Sequence, residues 1–193
     1  MNKPASFFLL AVFALFMSGC ATVSHHMSPV PPANVVDKAA ADKALVVFLR
    51  PSNYGGAVQA TLYDGDTYIG TLSAKKQIAY ETDPGEHMFM VVGESADFMK
   101  ADLLAGKTYY AQVVARMGLW KARFSFRPMN GQVAENELQQ WLSASEQVSV
   151  NQEGLAWAKA NAASIAEKKA DYLPKWEAKP DSDKQILKAE SGR

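Results

Sequence analysis

The chain has 193 residues, of which 48% are hydrophobic and 21% charged, so it is long enough and apolar enough to bury a core. Lys plus Arg and Asp plus Glu number 20 each, and this neutrality argues against a general nucleic-acid binder, which needs a basic surface. A single cysteine, Cys20, leaves no pair for an internal disulfide.

The first residues have the pattern of an export signal. Lys3 and the amino terminus supply positive charge, and an apolar run of 11 residues follows at positions 7–17. A helix that spans a bilayer needs about 20 apolar residues, so this run is too short to be one. The sequence therefore predicts a signal peptide over residues 1–19.

The end of that run, Met17-Ser18-Gly19-Cys20, resembles the bacterial lipobox. The resemblance implies that a signal peptidase recognises Met17, Ser18 and Gly19, cuts before Cys20, and leaves lipid on its sulfur. One acyl chain binds a membrane marginally and two make a stable anchor. In Gram-negative lipoproteins with this motif, an aspartate directly after the cysteine tends to retain the protein in the inner membrane. Ala21 occupies that position here, so the resemblance implies the periplasmic face of the outer membrane. The alternative is an ordinary cleaved signal with an incidental cysteine.

The next segments predict a tether and then a β-domain. Residues 20–42 are proline-rich in part and predict an extended, lipidated tether. Residues 43–128 contain short apolar or alternating runs separated by turn sequences at 64–66 and 83–85, which predicts an antiparallel β-sandwich. Residues 87–92 are apolar on both faces, so we expect a central strand covered on both sides.

The C-terminal third changes to helical spacing. Residues 129–174 predict two helices, the second with Asn151 as its N-cap and Pro174 at its end. Residues 148–150 form either a linker or an edge strand, and the charged segment 175–193 predicts a disordered tail. The fold class is therefore α+β.

The β-region has a recognisable rhythm of strands and turns, with Val46–Arg50, Tyr63–Gly70, Tyr80–His87 and Ala105–Tyr110 as its parts. It resembles small bacterial lipoproteins whose β-domain is similar to PEGA repeats, which are sandwiches of the transthyretin or carboxypeptidase-regulatory type. The resemblance covers residues 45–128. It implies hairpins and a sandwich, and it implies no activity or site residue.

Aromatic and cationic residues late in the β-region are candidates for ligand or partner contact: Tyr109, Tyr110, Trp120, Lys121 and Arg123. Tyr109 and Tyr110 are adjacent in a strand and point to opposite faces, so one of them is exposed or lies under a helix. An exposed aromatic beside Lys121 and Arg123 would suit a glycan or a partner protein.

The residues for catalysis or metal binding form no recognisable pattern. His87 is isolated, and general-base catalysis requires a nucleophile or carboxylate within hydrogen-bond reach. Asp64 and Asp66 flank Gly65 as in a hairpin turn and fall short of a calcium loop. We therefore predict no catalytic residue, cofactor or metal site.

The leading functional expectation is a lipid-anchored, non-enzymatic interaction module of the cell envelope. Its partners would be the membrane, through the lipid, and an envelope protein, with no nucleic acid. The alternative is a binder of small ligands or glycans that uses aromatics on the sheet.

Overall fold

The computed structural model describes residues 23–116 and 123–193. Two β-sheets pack face to face and carry one α-helix on each outer side. The strands are β1 (Met27–Pro29), β2 (Ala44–Arg50), β3 (Ala60–Asp64), β4 (Thr67–Leu72), β5 (Lys76–Thr82), β6 (Gly85–Val92), β7 (Ala96–Leu103), β8 (Thr108–Arg116), β9 (Arg123–Pro128), β10 (Glu146–Val150) and β11 (Gln185–Leu187). The helices are α1 (Glu135–Ser143) and α2 (Gln152–Glu177).

The six-stranded sheet has the order β1-β10-β5-β2-β8-β9, and the five-stranded sheet has the order β11-β7-β6-β3-β4. The α+β class is confirmed, but the purely antiparallel pairing is wrong. β2 pairs with β8 in parallel, as do β5 with β10 and β7 with β11. Each parallel pair joins strands that are far apart in sequence. Such strands are not connected by a tight turn, so a turn sequence cannot predict their pairing.

The main core lies between the two sheets. Phe48 of β2 meets Phe89 of β6 and Phe126 of β9, with ring centroids 5.1 and 5.8 Å away. Alternate residues of β2, such as Leu45 and Leu49, point outward and are buried in a second cluster with α1. This double coverage explains why β2 reads as one continuous apolar run.

The five-stranded sheet is covered by α2. Phe89 and Val91 of β6 face the core between the sheets, whereas Met90 and Val92 share a cluster with Trp176 of α2. This confirms that residues 87–92 form a central strand covered on both sides.

The second helix begins as predicted and ends later. The Asn151 side chain accepts a hydrogen bond from the Gly154 amide at 2.9 Å, which confirms the N-cap. Pro174 does not end the helix, which continues to Glu177. A proline removes one backbone hydrogen bond, and burial of Trp176 in the same last turns offsets that loss.

The segment predicted as a tether packs on the domain from Val23 onward. Val23 lies against the core between the sheets, and Met27 is buried and begins β1, which pairs with β10. A side chain at Gly154 would collide with the carbonyl oxygen of His26, so the backbone at His26 passes directly over the beginning of α2.

The segment predicted as a disordered tail also differs in the structure. β11 extends the five-stranded sheet, and Leu187 is fully buried. The backbone of Arg193 exchanges two hydrogen bonds with Thr108, each 3.0 Å long. The charged composition of residues 175–193 did not predict these contacts. β11 has only three residues, and its partner strand, β7, lies far away in sequence.

Within the described ranges, no helix combines the length and the apolar character that a bilayer crossing requires.

Candidate functional site

A cleft of about 360 Å³ lies where the C-terminal part of α2 meets the ends of β7, β8 and β9. We call it the cationic cleft, because four of its lining side chains are positively charged: Arg116, Arg123, Lys175 and Lys179. Its aromatic part is formed by Tyr172 and Trp176.

Two elements each supply a pair of these cations. Arg116 ends β8 and lies directly opposite Arg123, the first residue of β9, so the two side chains leave the sheet on the same face. Lys175 lies in the last turn of α2, and Lys179 follows just after the helix ends, where its backbone amide donates to the Trp176 carbonyl at 3.1 Å. Docking of α2 on the sheet then brings the two pairs together.

One carboxylate, that of Asp97, is buried beneath the cations with 8% of its side chain exposed. It accepts hydrogen bonds from the Lys179 ammonium at 3.2 Å and the Gln185 amide at 3.1 Å, and Arg116 Nη2 lies 4.0 Å away. Gln185 in turn accepts a 2.7 Å hydrogen bond from the Trp176 indole. A buried carboxylate needs such partners, so this network fixes the floor of the cleft.

The remaining cations are less engaged. Lys175 Nζ lies 4.6 Å from the centre of the Tyr172 ring, and Arg123 forms a 3.4 Å ion pair with Glu94 at the edge of the cleft. Four positive charges thus face one buried carboxylate, with Glu94 beside them. The cleft keeps an excess of positive charge, which favours an anionic ligand.

The predicted contact residues do not gather at one place. Tyr109 is fully buried, and its hydroxyl accepts from the Leu104 amide at 2.9 Å and donates to the Ala189 carbonyl at 3.1 Å. Tyr110, on the opposite face, is half-buried in the cluster that includes α1. Of the predicted contact residues that the structure describes, Arg123 is the one that lines the cationic cleft.

Several predicted residues lie outside the described ranges. They are Trp120 and Lys121 in the segment between β8 and β9, and Met17, Ser18, Gly19 and Cys20 at the N-terminus.

Sequence reasoning missed Asp97, Arg116, Lys175 and Lys179. The four-residue spacing of the two lysines was visible, but such spacing is also typical of a solvated helix face. The pairing of Arg116 with Arg123 required the register of the β8–β9 hairpin.

His87 is held in a separate polar cluster. Its Nδ1 lies 2.7 Å from Asp64 Oδ2, and its Nε2 lies 2.9 Å from the Asp83 carbonyl oxygen. Tyr80 donates to the same Asp64 oxygen at 3.2 Å, and the His87 ring stacks on Phe89 at 5.7 Å. Both ring nitrogens therefore face oxygen atoms of the protein. This arrangement fastens the β5–β6 turn to the β3–β4 hairpin.

The two aspartates that flank Gly65 form separate ion pairs, and His26 lies elsewhere. Asp66 pairs with Lys169 at 2.7 Å, while Asp64 pairs with His87. The His26 ring packs on Trp157 at 5.1 Å. In the part of the chain that the structure describes, no three His, Cys, Asp or Glu side chains are grouped so that they would hold a metal ion.

No protein-family model matches the chain, and the search of curated proteins gives no match.

Proposed function

We propose that the protein is a lipid-anchored, non-enzymatic binding module of the bacterial cell envelope that holds a phosphate-bearing partner in the cationic cleft. The observation that carries the proposal is the convergence of four cations over one buried carboxylate. The N-terminal pattern that ends at Cys20 supports the anchor and the periplasmic side of the outer membrane.

The chemistry of the cleft suits a phosphate group. Arginine presents a planar fork of donors that matches two phosphate oxygens, and lysine adds a compact positive charge. Arg116 and Lys175 are exposed and make the weakest contacts with the acids of the cleft, so they are free to turn toward a ligand. Tyr172, which is only partly buried, offers apolar surface to the rest of a partner.

The packing of the N-terminal segment supports a short distance between domain and membrane. Val23 lies on the core and is the third residue after Cys20, so lipid on that cysteine would hold the domain within about 10 Å of the bilayer surface. The cationic cleft is at the far end of α2, about 27 Å along the helix from Gly154. Such an arrangement presents the cleft away from the point of attachment.

The anchor is tested by the intact mass of protein extracted from membranes, beside the variant Cys20→Ser. We expect the wild-type chain to begin at Cys20 and to carry acyl mass, which the variant lacks. Wild-type protein without lipid, free in the periplasm, would refute the anchor and leave the cleft hypothesis to its own test.

The cleft is tested by titration with inorganic phosphate and, separately, with vesicles that contain phosphatidylglycerol. The readout is the indole N–H signal of Trp176 in NMR spectra. We expect phosphate to shift this signal, and added salt to weaken the effect. Binding to the vesicles alone would identify a lipid headgroup as the source of the phosphate.

The discriminating variant carries Arg116→Gln and Lys175→Gln together. We expect phosphate affinity to fall about tenfold or more, because hydrogen bonds to charged groups are lost. Its control carries Lys100→Gln and Lys107→Gln, which remove the same charge outside the cleft. Equal affinity in both double variants, or no Trp176 shift with either probe, would exclude the cleft as the binding site.

A further inference from the structure

The N-terminal segment of residues 23–38 lies on the domain but is attached to it at few points, and we call it the strap. Every residue from Ser28 to Lys38 is exposed or half-buried. Its strand, β1, has three residues and forms the outer edge of the six-stranded sheet. An open cavity of about 560 Å³ lies between the strap and the end of α1. The strap is therefore packed more loosely than the strands beneath it.

Met27 is the large side chain that fastens the strap. It is 4% exposed, and its sulfur accepts a hydrogen bond from the Thr71 amide at 3.2 Å. Gly70 leaves room for it, because a Cβ atom there would lie 2.8 Å from the terminal methyl carbon of Met27. One buried side chain contributes only a small part of the stability of a domain, so the strap can open while both sheets remain folded.

Hydrogen bonds to strand β10 supply further attachment. The Val30 amide donates to the Gln147 carbonyl at 2.9 Å. The Gln147 side chain accepts from the Val36 amide and donates to the Val36 carbonyl, both at 2.9 Å. Val36 is 41% exposed, so water can replace Gln147 as its partner when the strap leaves. These bonds position the strap and add little to the free energy that holds it.

The lipid anchor would join the chain at the free end of the strap. Val23 is the third residue after Cys20, so tension between the bilayer and the domain acts first on the end that Met27 fastens. We propose, on the basis of the proposed anchor but not of the phosphate site, that the strap is a releasable spacer that sets how far the domain reaches from the membrane. The docked strap keeps the domain within about 10 Å of the bilayer, whereas release up to Ala39, the nineteenth residue after Cys20, allows about 60 Å. The Thr108 hydroxyl holds the Ala39 amide at 3.1 Å, and this contact ends the released segment.

The release is tested by pulling single lipid-free molecules in an optical trap, with handles on the Cys20 thiol and on the thiol of Leu104→Cys, at a position that is 46% exposed. We expect a reversible lengthening of about 50 Å at a force below that which unfolds the two sheets. Met27→Ala should lower the force of this step. Met129→Ala, which shortens a similarly buried methionine packed with α1, should leave it unchanged. Absence of the early step, or equal effects of the two alanine substitutions, would overturn the proposal.

Hydrogen exchange of the lipid-free variant Cys20→Ser gives a second readout without applied force. We expect the Val30 amide to exchange about tenfold faster or more than the amide of Phe48, which is fully buried in β2. Equal exchange rates would mean that the strap opens only together with the sheets, which would refute the spacer. Lipid on Cys20 is judged separately by intact mass, and its absence would refute the anchor.

Discussion

The layer between the two sheets and the layer beneath α2 are built differently. Between the sheets, rings such as Phe48 and Phe89 are fully buried and in direct contact. Beneath α2, Trp176 is buried near the C-terminal end of the helix. The helix also forms one wall of the charged cleft and one wall of a groove lined by alanines. The comparison teaches that the layer between the sheets is closely packed, whereas the layer beneath α2 leaves open space beside the helix.

The largest effect is expected from Phe48→Ala in the layer between the sheets. The substitution removes a ring that touches Phe89 and Phe126, and we expect the free energy of unfolding to fall by about 3–5 kcal/mol. Chemical denaturation measures the change. A loss below about 1 kcal/mol would mean that this core is looser than its contacts indicate.

Leu187→Ala tests how firmly the C-terminal strand β11 is docked on the five-stranded sheet. Leu187 is fully buried beside β7, so we expect a loss of about 2–4 kcal/mol in the free energy of unfolding. Ile186→Ala, at a more exposed neighbour in the same strand, is the matched control. Equal and negligible effects of the two substitutions, within about 0.5 kcal/mol, would indicate that residues 185–187 are not docked.

Alkaline pH should weaken the layer beneath α2. Burial raises the pKa of Tyr63 from 10.0 to about 12, so its stabilising contribution is complete below pH 10 and is lost as pH rises toward 12. The loss attributable to this residue is at most about 3 kcal/mol.

Unfolding curves of wild type and Tyr63→Phe between pH 8 and 12 measure this contribution. We expect the variant to lose less stability over that interval, although the other buried tyrosines still contribute. Parallel pH profiles of the two proteins would show that Tyr63 ionises freely in the folded state.

The smallest effect on stability, and a gain in binding, is expected for Asp97→Asn. An amide keeps the shape but weakens the contacts with Lys179 and Arg116, which should cost about 1 kcal/mol of folding free energy. The same change removes the carboxylate beneath the cations, so phosphate affinity should rise. A fall in phosphate affinity would show that Asp97 positions the cations more than it opposes the anion.

The candidate site was only partly predictable. Arg123 was identified because it lies near aromatic residues in sequence. The alternation of a strand predicts that either Tyr109 or Tyr110 is exposed or lies under a helix, and only the structure shows that it is Tyr110, which packs with α1. Asp97 gave no signal, because a carboxylate in a strand usually faces solvent, and its burial depends on Lys179 and Gln185 more than 80 residues later.

The sequence by itself determined the features that arise from neighbouring residues. Gly65 adopts a φ of 57° in the β3–β4 turn, Asn151 caps α2, and alternate residues of β6 face opposite layers, because each feature is set within a few positions. Only the tertiary structure decided the parallel pairs, the docking of residues 23–29 and 185–193, and the convergence of cations at the end of α2. These depend on contacts between distant segments, whose free energy is gained only when the whole chain is folded.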